Sequence, residues 1–124
     1  MARSQLKSRR KASGGRYHNA LSKKKRELAR PAAMTSINQR KAKTIRTKGN
    51  NLKQILLSVK EVNFTDKKGK TTKTEIVNVL ENPANPNLVR RNVLTKGTIV
   101  ETKLGKAKVT NRPGQEGAVN VLAI

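Results

Sequence analysis

The sequence predicts an all-β fold: a small closed or partly open β-barrel over residues 41–124, with a basic, extended N-terminal arm over residues 1–40. Three observations lead there. Cations and large apolar residues occupy opposite halves: residues 1–50 hold 16 Lys or Arg against one acid, Glu27, while residues 51–124 hold 13 against six. Val, Ile and Leu are concentrated in the second half, where they form short runs suited to strands. Gly and Pro turns divide those runs at close spacing, the pattern of a barrel or curled sheet.

The arm comes first. Residues 1–40 contain few large apolar side chains, among them Leu6, Leu21, Leu28 and Ile37. Burying so little cannot offset the entropy of ordering the backbone, so the arm is expected to gain its order from a partner. Within it, Leu21 and Leu28 are seven apart and Pro31 follows, which predicts a short helix over Asn19–Arg30.

The barrel elements follow in order. Ile55, Leu57 and Val59 alternate, then Val62 and Phe64 take the opposite parity, which suggests a bulge or sharp bend. Thr65-Asp66-Lys67-Lys68-Gly69-Lys70 is a polar turn, and Thr71–Glu81 returns as the second strand of a long hairpin. Asn82-Pro83-Ala84-Asn85-Pro86 is a loop, because each proline lacks an amide donor and restrains the residue before it. Val93 and Leu94 precede a Lys96-Gly97 turn, Thr98–Leu104 precedes Gly105, and Lys106–Thr110 precedes the Arg112-Pro113-Gly114 turn. Gly117–Ile124 closes the chain, with Val119 and Val121 on one face and Leu122 and Ile124 on the other. Closure hides strand edges that would otherwise pair with other chains.

A chain of 124 residues suffices for one domain with a modest core. Its formal charge of +22 would make a compact body repel itself in water, and a polyanion as the usual partner removes that difficulty. No run approaches the ~18 apolar residues of a spanning helix, and the basic stretches lack the apolar face of a surface-binding one. The first thirty residues have no central apolar block of the kind a signal peptide needs. Cysteine is absent, which removes disulfides and thiolate metal sites, and His18 alone cannot build a metal cluster. No metal, cofactor or small-molecule substrate is expected.

An enzyme is not expected either. The acids are thinly spread, His18 lies in the basic arm, and no Ser sits in a Gly-x-Ser-x-Gly setting. Gly105-Lys106 has no partner glycine upstream at the spacing of a phosphate-binding loop.

The chemistry present is cationic. Arg3, Lys7, Arg9, Arg10 and Lys11 lead into Ser13-Gly14-Gly15-Arg16. Lys23, Lys24, Lys25 and Arg26 follow, with Arg30 beyond, and Arg40, Lys41, Lys43, Arg46 and Lys48 form a third group. Each cation near a phosphate releases condensed counterions, and arginine adds forked hydrogen bonds to phosphate oxygens. At Gly14-Gly15 the absence of Cβ atoms lets the backbone turn and approach a phosphate. One such run is as readily a solvated tail, but three in one half of the chain favour a nucleic acid. Tyr17 and Phe64 are the only aromatics, too few for a base-stacking platform. Phe64 is expected in the core, and Tyr17 either stacks on a base or covers apolar surface. Binding should therefore rest on phosphates and RNA shape. Composition does not separate ribosomal RNA from other RNA or from DNA.

Three segments carry a resemblance. They are Arg10-Lys11-Ala12-Ser13-Gly14-Gly15 with the block Lys23–Arg30, then Glu81-Asn82-Pro83-Ala84-Asn85 with Arg90–Gly97, then Gly105–Gln115 with Gly117 and Val119-Asn120. In this order, across nearly the whole chain, they resemble the archaeal and eukaryotic small-subunit ribosomal protein family S8e. Ala29 departs from the family, which usually has Gly there. The resemblance implies a structural protein of the cytoplasmic small ribosomal subunit, of the short archaeal type. Its partners would be small-subunit ribosomal RNA and neighbouring ribosomal proteins. It also implies RNA contacts at the two N-terminal basic blocks and at Arg90, Arg91 and Arg112, with Lys96 beside them. A maturation factor of the same superfamily and an architectural DNA-binding protein are the alternatives.

Overall fold

The computed structural model describes residues 10–18, 25 and 28–124. The chain divides into two compact units, Met1–Ala32 and Ala33–Ile124. The helix expected over Asn19–Arg30 lies largely outside the described residues.

The second unit holds nine strands: β1 (Thr35–Ser36), β2 (Lys41–Arg46), β3 (Leu52–Ser58), β4 (Glu61–Thr65), β5 (Thr71–Glu81), β6 (Val93–Leu94), β7 (Ile99–Thr102), β8 (Gly105–Val109) and β9 (Asn120–Ala123). It therefore takes in Thr35–Ser36, upstream of the residue-40 boundary placed from composition. Among the described residues no helix is long and apolar enough to cross a membrane.

Five strands close a barrel in the order β4-β5-β7-β8-β9, and β9 returns parallel to β4. So small a barrel must be filled by side chains. Val62, Phe64, Ile76, Val79, Val100, Ala107, Val109, Val119 and Val121 fill it, none more than 3% exposed. Val119 and Val121 are inside while Leu122 and Ile124 are outside, as the alternation at the C-terminal end predicts. Phe64 is core. The remaining strands form a second sheet, β2-β3-β1-β6, whose Leu56 and Leu94 join the same apolar cluster.

The parity change after Val59 has a different cause from a bulge within one strand. The chain leaves the four-stranded sheet at Ser58, turns through Val59-Lys60 and enters the barrel at Glu61. Leu56, rather than Ile55 or Leu57, is the fully buried residue of β3. The β4–β5 hairpin is also shorter than the length of β5 suggests. Thr65 pairs with Thr71 and Glu61 with Glu75, but beyond that β5 pairs with β7 instead. Register shifts at Ile76/Asn78 and Val79/Glu81 bend β5 between its two partners. Consequently Ile76 and Val79, three apart, both point inward.

Candidate nucleic-acid interface

Strand β2 has one large apolar residue, Ile45, and forms by pairing its backbone with β3 from Ala42↔Leu56 to Arg46↔Leu52. Gly49 (φ 73°) and Asn50 (φ 61°) provide the left-handed residues that reverse the chain at the tip. Leu56 at the base of this hairpin is 0% exposed, and Leu52 near its tip is 69% exposed. The hairpin thus leaves the body and stands in solvent. Lys43 lies opposite Ile55, and Lys53 opposite Ile45, so the two lysines share a face. Arg46, on the other face, donates from Nε to the Asn50 side-chain oxygen at 3.0 Å, holding the tip.

Register brings further cations to the base of the second sheet. Ser36 and Lys41 both pair with Ser58, and Ser36 pairs with Val93 on its other side. The connector carrying Arg40 and the Arg90-Arg91-Asn92 turn therefore lie at the same end of that sheet. Arg40 donates from Nη2 to the Gly117 carbonyl at 3.2 Å. The loop holding Arg112 is anchored nearby. The Pro113 carbonyl accepts from the Leu56 amide at 3.0 Å, and the Gln115 and Glu116 amides both donate to the Arg112 carbonyl at 3.0 Å. Pro113 is buried, whereas the Arg112 side chain is exposed.

The Asn-Pro-Ala-Asn segment works as a folded corner. Asn82 is 2% exposed, and its Oδ1 accepts from the Ala84 amide and the Thr95 hydroxyl, each at 3.1 Å. Asn85 accepts from the Asn87 amide at 3.0 Å, capping a short 3-10 turn over Pro86–Leu88. This corner delivers Arg90 and Arg91 to the surface. Lys96, in the turn closed by Gly97 (φ 88°), is exposed as well.

In the first unit, residues 10–16 close a tight turn. The Lys11 amide donates to the Gly15 carbonyl at 2.7 Å, the Gly14 amide to the Lys11 carbonyl at 3.0 Å, and Arg10 Nη1 to the Gly14 carbonyl at 3.0 Å. Gly14, at φ 83°, permits it. Lys11 Nζ stands 5.8 Å from the centre of the Tyr17 ring, within cation–π reach. Arg10, Lys11, Ser13, Gly15, Arg16, Lys25 and Arg30 are all exposed. Arg3, Lys7, Arg9, Lys23, Lys24 and Arg26 lie outside the described residues.

The acids are placed away from these cations in sequence: none occurs between Leu28 and Lys60. Glu75, on the barrel, pairs with Lys103 at 2.9 Å and Lys60 at 3.3 Å. Hydrogen bonds from Lys103 and then Lys60 hold its carboxyl below the ordinary value of 4.5. Sequence reasoning missed the hairpin as an element, and Lys53 with it. The acid-free run from Leu28 to Lys60 was the available signal. Among the described residues no group of three or more His, Cys, Asp or Glu could hold a metal ion.

The family described as Ribosomal protein S8e matches residues 4–124. The chain belongs to that family. It is 50% identical over 121 residues to the small ribosomal subunit protein eS8 of Methanocorpusculum labreanum, covering 97% of each chain. It is 48% identical over 125 residues to the protein of the same name from Methanobrevibacter smithii, covering 100% of each. The Methanosarcina barkeri protein of that name is 49% identical over 118 residues, covering 94% of each. This is a family of ribosomal proteins, not of enzymes. The two segments that most specifically carry the family resemblance, Asn82–Asn85 and Arg112–Gln115, act here as the corner and the anchored loop behind exposed arginines.

Proposed function

We propose that this chain is a structural constituent of the small ribosomal subunit in the cytoplasm, where it binds small-subunit ribosomal RNA and stabilises its fold. Recognition is by phosphate neutralisation and by shape. One observation carries the reading: exposed cations of the hairpin, the Arg40 connector, the Arg90-Arg91 turn and the Arg112 loop stand on a fold built around a single apolar core. Phe64 is inside that core, so base stacking on aromatics has little to offer and phosphate contacts dominate. The barrel provides a rigid platform, and the part of the arm that precedes the second unit, up to residue 32, threads between RNA helices, neutralising crowded phosphates. Candidate contacts on the arm are the cations up to Arg30, with Ser13, Gly14 and Gly15 allowing close approach of the backbone. Neighbouring small-subunit proteins complete its surroundings.

Competition at physiological salt tests the reading. The purified chain should prefer small-subunit RNA to duplex DNA, with a binding constant that falls linearly on a logarithmic salt scale. Preference for the duplex would favour an architectural DNA protein and overturn it. One copy per mature small subunit is expected, and absence from mature particles would indicate a maturation factor instead.

A further inference from the structure

A recess of about 380 Å³ opens on the outer face of the barrel. Arg40, Glu61, Asn63, Lys73, Gly117 and Ala118 line it. The volume lies within the roughly 300–1,000 Å³ of small-ligand sites, and is sufficient for one nucleotide. Lys73 pairs directly with Asn63 across β4 and β5, so both side chains stand on the same outer surface. Arg40 reaches the opposite wall, fixed there by its bond to Gly117.

The charge inside this recess is unusual for the chain. Glu61 is one of only seven acids in the protein, and it stands with a lysine and an arginine at a surface otherwise suited to phosphate. Its cross-strand partner Glu75 has its charge matched by Lys60 and Lys103. Among the described residues, neither Glu61 nor Lys73 is engaged in an ion pair. The recess therefore offers cations on two walls and a carboxylate with two open acceptor oxygens, while the Asn63 side chain beside them is held by its Nδ2 donating to Asn120 Oδ1 at 2.9 Å.

We propose that this recess holds one unstacked guanosine nucleotide of the bound RNA. Lys73 and Arg40 take the phosphate. The Glu61 carboxylate accepts from the N1–H and N2–H donors of guanine, the one base whose pairing edge presents two adjacent donors to a pair of oxygens. Adenine, cytosine and uracil each place an acceptor there, which a carboxylate repels. The base lies against the Gly117-Ala118 backbone. Sequence-specific RNA recognition favours bases splayed out of loops and bulges, whose pairing edges are free. The inference rests on the RNA-binding reading above and adds a specificity to it.

Titration of the full-length, ¹⁵N-labelled chain with GMP, AMP, CMP, UMP and inorganic phosphate tests it, read at the amides of Asn63, Gly117 and Ala118. GMP should shift these amides saturably, at about tenfold lower concentration than the other nucleotides, as one bidentate pair can provide. Glu61→Gln should remove that advantage and strengthen AMP, because an amide offers an acceptor beside a donor and so matches adenine. Lys73→Ala should weaken all four nucleotides alike. Both residues are exposed and outside the core, and unchanged amide shifts elsewhere would verify that the variants keep the fold. Equal responses to all nucleotides and to phosphate would reduce the recess to an anion site and overturn the proposal, as would no response at these amides. If GMP fails while the chain still binds small-subunit RNA with its salt dependence, the guanosine site falls and the RNA reading stands.

Discussion

The guanidinium of Arg40 bonds at 3.2 Å to the carbonyl of Gly117, a residue 77 positions further along the chain. This contact joins the connector ahead of β2 to the loop ahead of β9. It therefore ties the four-stranded sheet to the strand that closes the barrel. Because the bond is exposed, it should contribute near the lower end of the usual range. Arg40→Ala is expected to lower stability by about 0.5 kcal/mol in urea unfolding. Hydrogen exchange should accelerate in residues 111–118 more than in β7 or β8. Uniform acceleration would mean the contact does not act locally.

Asn82 is placed to cost more. Its side-chain oxygen serves both the Ala84 amide and the Thr95 hydroxyl, and Thr95 in turn contacts Thr98 at 3.0 Å. Both Asn82 and Thr98 are buried. Asn82→Ala leaves the part-buried Ala84 amide and the Thr95 hydroxyl without their acceptor, and also removes a buried Nδ2 that has no partner among the described residues, so it should cost about 1 kcal/mol, a fall of a few degrees in Tm. RNA affinity should fall too if the corner orients Arg90 and Arg91. Unchanged thermal stability would remove the corner's structural role.

Much of this fold was legible in the sequence where an apolar pattern and a turn agreed. Thr71–Glu81 is bounded by a polar turn and by Asn82-Pro83, and the strand has those same limits. Val119 and Val121 alternate with outward residues over the last strand. Elements set by distant pairing were not legible. Strand β2 reads as a charged run, and only β3 gives it a reason to extend. The two residues of β1 carry no pattern, yet Thr35 is buried and donates to the Leu56 carbonyl at 2.7 Å. The site divides in the same way. Composition located the cations, but Glu61 and Lys73 share a surface through the register of β4 with β5, and Arg40 joins them through its bond to Gly117.

Thr35 also decides where the arm can be cut. Deleting residues 1–32 leaves β1 between β3 and β6, and the remaining chain should unfold cooperatively in urea near the midpoint of the full chain. Deleting 1–40 removes β1 and the Thr35 hydroxyl together, and strips β6 of its partner. That truncation should lower the urea midpoint sharply, as followed by circular dichroism. Equal midpoints for both deletions would show that β1 adds nothing to the body.

Glu75 sets an acid limb to stability. Its folded carboxyl titrates below the ordinary 4.5, through Lys103 first and Lys60 second. A depressed carboxylate contributes stability that is present above the unfolded value and is lost as pH falls through the folded one. The group is exposed, so the contribution is small. Glu75→Gln should lower Tm slightly at neutral pH, and the difference from the parent should close as pH falls below 4.5. A gap that persists below the folded titration would assign the effect to packing rather than to charge.

The projecting hairpin gives the most direct measure of phosphate binding. Lys41, Lys43 and Lys53 are exposed, and their side chains add nothing to the apolar cluster, so Lys→Ala at all three should leave the fold and Tm nearly unchanged. Removing one cation from its phosphate reduces the slope of log K against log salt by about 0.7 for single-stranded and about 0.9 for duplex nucleic acid. The triple variant bound to small-subunit RNA should therefore show a slope shallower by about 2 to 3, with the affinity gap widest at low salt. If the affinity falls while the slope stays fixed, the lysines act through the shape of the hairpin. If neither changes, the hairpin faces away from the RNA, and its cations do not belong to the interface.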